Sequence, residues 1–413
     1  MHSFPIENPQ MKIKKSVTSE SLLSDPDDFS FVLGGPLYQF FRRAHLSNDV
    51  LELLLRRIIF FSLFTWLPLL ILSAIDGHLL DGSSTVPFLL DIDVHVRFLL
   101  VIPLLIAAEL VVHRRLRHIV KVFRERNLIP ESGMKKFDDA ISSTFRLRDS
   151  MVAEVVLIIL VYVVGVLIIW RQYTALKTAT WYSATSIEGS KLPLAGIWYG
   201  YVSLPIFQFL LIRWYYRLFI WIRFLWKVSR IKLNLVPMHP DRRGGIDFLT
   251  TSAYAFVTLV IAHGAMLSGL IANRIFYTGA SLVDFKLEIA LAVVILLILI
   301  LGPLLVFSPR LAETKRLGKS EFGTLAQRYV REFDTKWLRG GAPSGEQFIG
   351  TSDIQSLADI GNSHEVTANM RFILVTKESI LWLVFWMLAP IAPLALTLMP
   401  LGELLKHLAG IIL

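Results

Sequence analysis

Cysteine is absent from the sequence. Disulfides, thiolate metal sites and cysteine nucleophiles are therefore excluded. No apolar core lies near the N-terminus, where a cleavable signal peptide would need one, so no such signal is expected. The familiar enzyme signatures are also missing. Gly318-Lys319-Ser320 ends like a phosphate loop, but Glu313 stands where the motif requires glycine. His364-Glu365 opens like a zinc-protease motif, but Ala368 takes the place of the second histidine. No Gly-x-Ser-x-Gly elbow occurs. These absences weaken an enzymatic reading without removing it. No compact basic soluble segment is present, so nucleic acid is not an expected partner. No cofactor is expected either.

What is present is hydrophobic sequence. Of 413 residues, 54% are apolar, and several runs reach the roughly 18 residues that read as a membrane-spanning helix. Expected spans are 58–75, 96–112, 151–170, 192–212, 253–276, 287–307 and 380–399. A span in lipid must satisfy its backbone internally, so each is a helix. The expected fold is all-α: a polytopic transmembrane helical bundle of about seven spans, with short amphipathic helices on the inner face. Pro390 and Pro393 interrupt the last span, so a C-terminal broken hairpin is the alternative to a seventh crossing followed by a short outer helix.

Charge sets the expected orientation. The segments 1–57, 113–151, 213–252 and 308–379 hold 35 of the 42 Lys and Arg, and the alternate loops hold four. Basic loops stay inside, so the N-terminus is expected inside as well. The organisation read from the chain is a mobile tail (1–30), a juxtamembrane amphipathic segment (31–57) and a six-span membrane domain (58–307). An inner-face helical segment (308–379) and a C-terminal hydrophobic segment (380–413) follow. In the inner segment, helices are expected from Ser352 to Gly361 and again from Asn362. Anionic lipid head groups at the inner face are the expected partner, together with further copies of the chain.

Three features could carry chemistry. The first is the polar turn His239-Pro240-Asp241-Arg242-Arg243-Gly244-Gly245, between two long apolar spans. Arg242, Arg243 and backbone N–H groups at Gly244 and Gly245 are arranged to take an anion, such as a phosphate, a lipid head group or a nearby carboxylate. The alternative is a tight turn in which Asp241 pairs with an arginine and His239 steadies the loop. His239 and Asp241 are too few for a metal site. The second feature follows the fourth span. Arg213, Arg217, Arg223, Lys227 and Arg230 fall within an arc of about 140° when plotted at helical spacing, with Trp214, Trp221 and Trp226 opposite. This predicts an amphipathic helix at the inner interface.

The third feature is the set of ionisable groups inside spans, which are functional candidates by default. They are Glu109, Glu154, His263 and Arg274. Glu109 and Glu154 are placed to meet across antiparallel helices. There they would pair with Arg213 or Arg217, or share one proton. His263 reads either as a proton relay or as a hydrogen bond to a neighbouring helix. Gly264, Ser268 and Ala272 beside it predict close helix packing.

Several stretches resemble a family of uncharacterised bacterial multi-pass membrane proteins. They are Gly34 to Tyr38, Thr65 to Pro68, His239 to Leu249, Val306 to Pro309, Asp353 to Asn362 and Met399-Pro400-Leu401. The resemblance runs from about residue 33 to the end and is most specific at His239–Gly245. It implies a bacterial inner-membrane location and no particular activity. The leading functional expectation is an oligomeric channel or transporter-like conduit with a basic inner vestibule. A scaffold or sensor that binds anionic lipid or a partner through its inner loops is the second. An enzyme acting on a lipid or phosphorylated substrate is the third.

Overall fold

The computed structural model describes residues 30, 52–80, 86–170, 180–182 and 193–398. The expected tail, apart from Ser30, lies outside the described residues, as do most of the juxtamembrane segment and everything after 398. Among the described residues the chain is all-helical, with one isolated bridge between Val86 and Thr180.

Nine helices carry the described architecture. They are α1 (Glu52–Ile75), α2 (Ile92–Glu125), α3 (Glu131–Arg148), α4 (Met151–Val166), α5 (Leu194–Ser229), α6 (Asp247–Thr278), α7 (Leu282–Leu338), α8 (Ser352–Ala368) and α9 (Lys377–Leu388). Local chemistry sets several starts. Asp91 accepts from the Val94 N–H ahead of α2, and Ser150 accepts from the Ala153 N–H ahead of α4. Ser281 with Asp284 forms a capping box at α7.

Five helices, α1, α2, α5, α6 and α7, are long and apolar enough to cross a membrane, and the number rises to six if α3 and α4, bent by 47°, act as one span. The protein is a multi-pass membrane protein. The expected seventh span is not one long helix. α9 stops after 12 residues, and a 3-10 stretch, Ala392–Thr397, follows. Pro390 lacks an N–H, and its ring clashes with the preceding turn, which is why the helix cannot continue.

α2, α5 and α6 form the centre, and α5 also carries α3 and α4 on its flanks. The indole N–H of buried Trp214 donates to the Leu105 carbonyl (2.9 Å), tying α5 to α2. Ser203 Oγ donates to the Thr65 carbonyl (2.7 Å), tying α5 to α1. α1, α4 and the first half of α7 expose apolar side chains such as Ile59, Val156 and Ile298. In a bilayer these faces meet lipid, where apolar exposure carries no cost.

Three expectations change. The segment 213–230 is not a helix of its own. It continues α5 and is largely core: Trp214 and Trp221 are buried, and so are Arg213 and Arg217. The periodicity was real, but Arg213 and Arg217 on the face that looked charged are matched by carboxylates from other helices. The expected boundary at 308 falls inside one long helix. α7 runs unbroken for 57 residues through a 3-10 stretch at Gly302–Phe307, roughly 85 Å at helical rise. Pro303 and Pro309 both sit in the first turn of their helical pieces, where proline needs no N–H partner. Finally, α8 passes straight through Gly361 instead of ending there.

The C-terminal segment lies along α6. Arg371 N–H donates to the Arg242 carbonyl at one end, and Leu394 clusters with Ile271, Ala272 and Phe285 at the other. Between them Gly264 lets the backbone of α9 approach: a Cβ there would stand 2.2 Å from the Met387 carbonyl oxygen. Gly264→Val is therefore expected to destabilise the protein by about 1–3 kcal/mol through overpacking, read as a lower Tm in detergent. An unchanged Tm would mean that α9 does not seat on this stripe.

Candidate functional site

The structure brings four of the ionisable candidates into one buried network and adds a fifth group. Glu109 of α2 stands 2.8 Å from Arg217 of α5 and 2.8 Å from Arg57 of α1. Arg213, one turn before Arg217, lies 3.8 Å from Glu109 and 3.6 Å from Glu154 of α4. Glu109, Arg213 and Arg217 are each more than nine-tenths buried. Arg217 also stacks over the Trp214 ring at 4.9 Å. Four helices thus meet through charge.

Each position follows from helix geometry. Residues four apart on α5 share a face, so Arg213 and Arg217 point the same way. Arg213 lies within ion-pair reach of both carboxylates. The pairing of these carboxylates with Arg213 and Arg217 is one of the expected arrangements. Arg57 closes the segment expected to be juxtamembrane and amphipathic (31–57); nothing in its neighbourhood along the chain indicates Glu109 as partner.

The polar turn has a different chemistry. The Asp241 carboxylate accepts from the backbone N–H groups of Arg243 (2.7 Å), Gly245 (3.2 Å) and Asp247 (3.2 Å). His239 Nδ1 stands 2.9 Å from the same carboxylate. The concave array of N–H donors is thus filled by the chain's own anion. Gly244 and Gly245 adopt φ of 67° and 96°, and Arg242 sits at 54°. Such angles turn successive N–H groups inward. Arg243 is buried and pairs with Asp247, whereas Arg242 is exposed. Burial alone would raise the Asp241 carboxyl, but the three backbone donors hold it below the usual range.

His263 is buried in α6. Its Nδ1 lies 2.8 Å from the Leu259 carbonyl, so Nδ1 carries a proton. In the neutral ring Nε2 then accepts from the Tyr215 hydroxyl of α5 at 2.7 Å. Both nitrogens are occupied, and the arrangement is the hydrogen bond to a neighbouring helix. Arg274 is exposed and lies over the Phe285 ring at 5.7 Å, far along α6 from the other candidates.

A second buried polar cluster sits toward the other end of α2 and escaped sequence reasoning. Asp91 accepts from the Trp181 indole (2.8 Å) and the Asn273 amide (2.7 Å). Arg97 pairs with Asp93 at 2.5 Å and donates to the Tyr199 hydroxyl at 3.1 Å. The i,i+4 spacing of Asp93 and Arg97 was the available signal. Arg97 and Glu109 are separated along α2 by roughly 18 Å at helical rise. Among the described residues no group of three or more His, Cys, Asp or Glu could hold a metal ion.

No protein-family model, curated protein or solved structure matches the chain. Functional argument therefore rests on the geometry.

Two outcomes are expected. Glu109→Gln leaves two buried arginines without their carboxylate and should cost about 3–5 kcal/mol, seen as a large drop in Tm or failure to accumulate. The Asp241 contribution has a pH signature. Its folded value lies below the unfolded value of about 3.9, so its stabilisation is present above that pH and is lost as pH falls through the folded value. Asp241→Asn should therefore flatten the acid limb of the Tm–pH curve, and an unaltered limb would remove the carboxylate from the turn's stability.

Proposed function

We propose that the protein is an oligomeric channel or transporter-like conduit of the bacterial inner membrane, with its N-terminus and basic loops in the cytoplasm. The single observation that carries this reading is the buried Arg57–Glu109–Arg217–Arg213–Glu154 network, which joins four helices of the bundle. Ionisable groups buried inside a membrane protein mark ion or substrate pathways by default. The asymmetry of Lys and Arg supports the orientation. The C-terminal segment fits a seventh crossing made of two broken pieces, since it follows α6 from the Arg242 end to the Phe285 end. The basic surface beyond the network forms the inner vestibule, where anionic head groups gather.

The scaffold reading has one observation of its own. The inner half of α7 pairs with α8 and still exposes Leu317, Leu325, Val330 and Leu338. Unpartnered apolar side chains on a long helical arm fit a docking surface for a partner.

Reconstitution of the whole chain into liposomes separates these readings. A conduit is expected to give ion-selective flux from a species larger than a monomer in native mass spectrometry. Absence of flux under every ionic condition, with the protein inserted and folded, would overturn it in favour of the scaffold.

A further inference from the structure

We infer that Arg146, Arg223 and Lys227 form a binding site for the head group of an anionic phospholipid, where α3 lies against the end of α5. Its place in the cytoplasmic leaflet rests on the proposed orientation; transport plays no part in it.

Two antiparallel helices build the site. Phe137 of α3 meets Phe224 of α5, with ring centroids 6.2 Å apart. Nearer the other end of α3, the Tyr216 hydroxyl donates to the Leu147 carbonyl at 2.8 Å. Arg146, next to Leu147, therefore comes alongside α5. Arg223 and Lys227 are one turn apart on α5 and share a face. Lys227 lies within electrostatic reach of Arg223 and Arg146, which repel it, and of Asp139 on α3, which attracts it. Among the described residues none of the three bases makes a side-chain hydrogen bond or ion pair. Arg146 is exposed and the other two are half-buried, so an anion can reach all three. Like charges held close attract that anion more strongly than any one of them alone.

Aromatic side chains on the same face select a lipid over a free anion. Phe219, Arg223, Trp226 and Arg230 recur at i, i+4, i+7 and i+11, within an arc of about 60° at helical spacing. Phe219 is 52% exposed and Trp226 49%. Arg230 lies over the Trp226 ring at 5.1 Å. Rings and cations interleaved in this way settle in the head-group zone, where the rings pack on upper acyl chains and the cations meet phosphate. The chain leaving α3 points the same way. Ser150 caps α4 one turn after Arg146, and α4 opens with Met151 and Val152, both apolar and exposed.

The occupant is a phosphodiester of net negative charge. Phosphatidylglycerol supplies one, whereas in phosphatidylcholine the same group is offset by the lipid's own ammonium. Asp139 is the internal competitor, so removing its charge must strengthen the attraction for lipid phosphate.

The test uses the whole chain purified in an uncharged detergent and freed of lipid. Phosphatidylglycerol or phosphatidylcholine is titrated in mixed micelles, with bound lipid counted by native mass spectrometry and Tm read in parallel. A tightly held phosphatidylglycerol that phosphatidylcholine does not replace is expected. Arg223→Gln should weaken it about fivefold, and Arg146→Gln with Arg223→Gln about twenty-fivefold. Trp226→Ala should weaken it as well. Asp139→Asn should tighten it, a gain that no folding defect would produce. Taking the same charge from α7, with Arg316→Gln and Lys319→Gln, should leave binding unchanged. An equal loss there would reduce the site to diffuse surface charge and overturn the inference. Equal retention of the two lipids would also overturn it. A rise in Tm with sodium phosphate at matched ionic strength, lost in the double arginine variant, would assign the site to a free anion and overturn the lipid. Orientation is read separately. The chain has no cysteine, so Lys135→Cys can be labelled from either side of sealed vesicles. Labelling from the outer side alone would overturn the proposed orientation, and binding in micelles would still decide the site.

Discussion

A carboxylate buried between helices must be matched by positive charge, and in this protein that constraint fixes the arrangement of the bundle. Glu109 draws α1 and α5 onto α2 through Arg57 and Arg217. Arg213 extends the link to Glu154 on α4. Apolar packing between membrane helices is permissive, because lipid tails are as apolar as leucine. Charge is not permissive. A helix slid by one turn would move its arginine by about 5.4 Å and leave a buried ion unpaired. The network therefore sets register where hydrophobic contact alone would tolerate slippage.

The other polar contacts repeat the logic at other depths. Asp91 gathers Trp181 and Asn273 near the start of α2, and Arg97 reaches Asp93 and Tyr199. Tyr215, between Arg213 and Arg217 in sequence, joins α5 to His263 of α6. The turn before α6 closes on its own aspartate, and its Arg242 carbonyl receives the chain that leads into α9. Gly318 serves the same junction: a Cβ there would collide with Pro237 and Thr367, so α7, the turn and α8 meet at one crowded point. The turn is thus a fastening of one end of the bundle.

Much of the fold was legible along the chain. The apolar runs mark α1, α2, α4, α5, α6 and the first half of α7, and Pro390 marks the break after α9. The candidate network was legible in part. Glu109, Glu154, Arg213 and Arg217 stand out because ions are rare in such runs, but Arg57 does not, since it lies beside Arg56 at a span edge. The arc that begins with Arg213 and Arg217 also misled, because an amphipathic pattern is the same whether its polar face meets water or another helix. The continuity of α7 past Ser308 was hidden by Pro309, a residue that breaks helices in their interior but fits their first turn.

The sequence by itself determined the helical class, the membrane setting and the asymmetry of charge. Those properties depend on local composition, and the cost of exposing backbone to lipid leaves no other solution. Only the tertiary structure decided which charges meet. Pairing depends on the relative height and rotation of helices far apart in the chain, as between Arg57 and Glu109 or Trp181 and Asp91. It also decided that the donors of the 239–245 turn are filled by Asp241. A motif names donors and acceptors, but only distance shows which of them are already used.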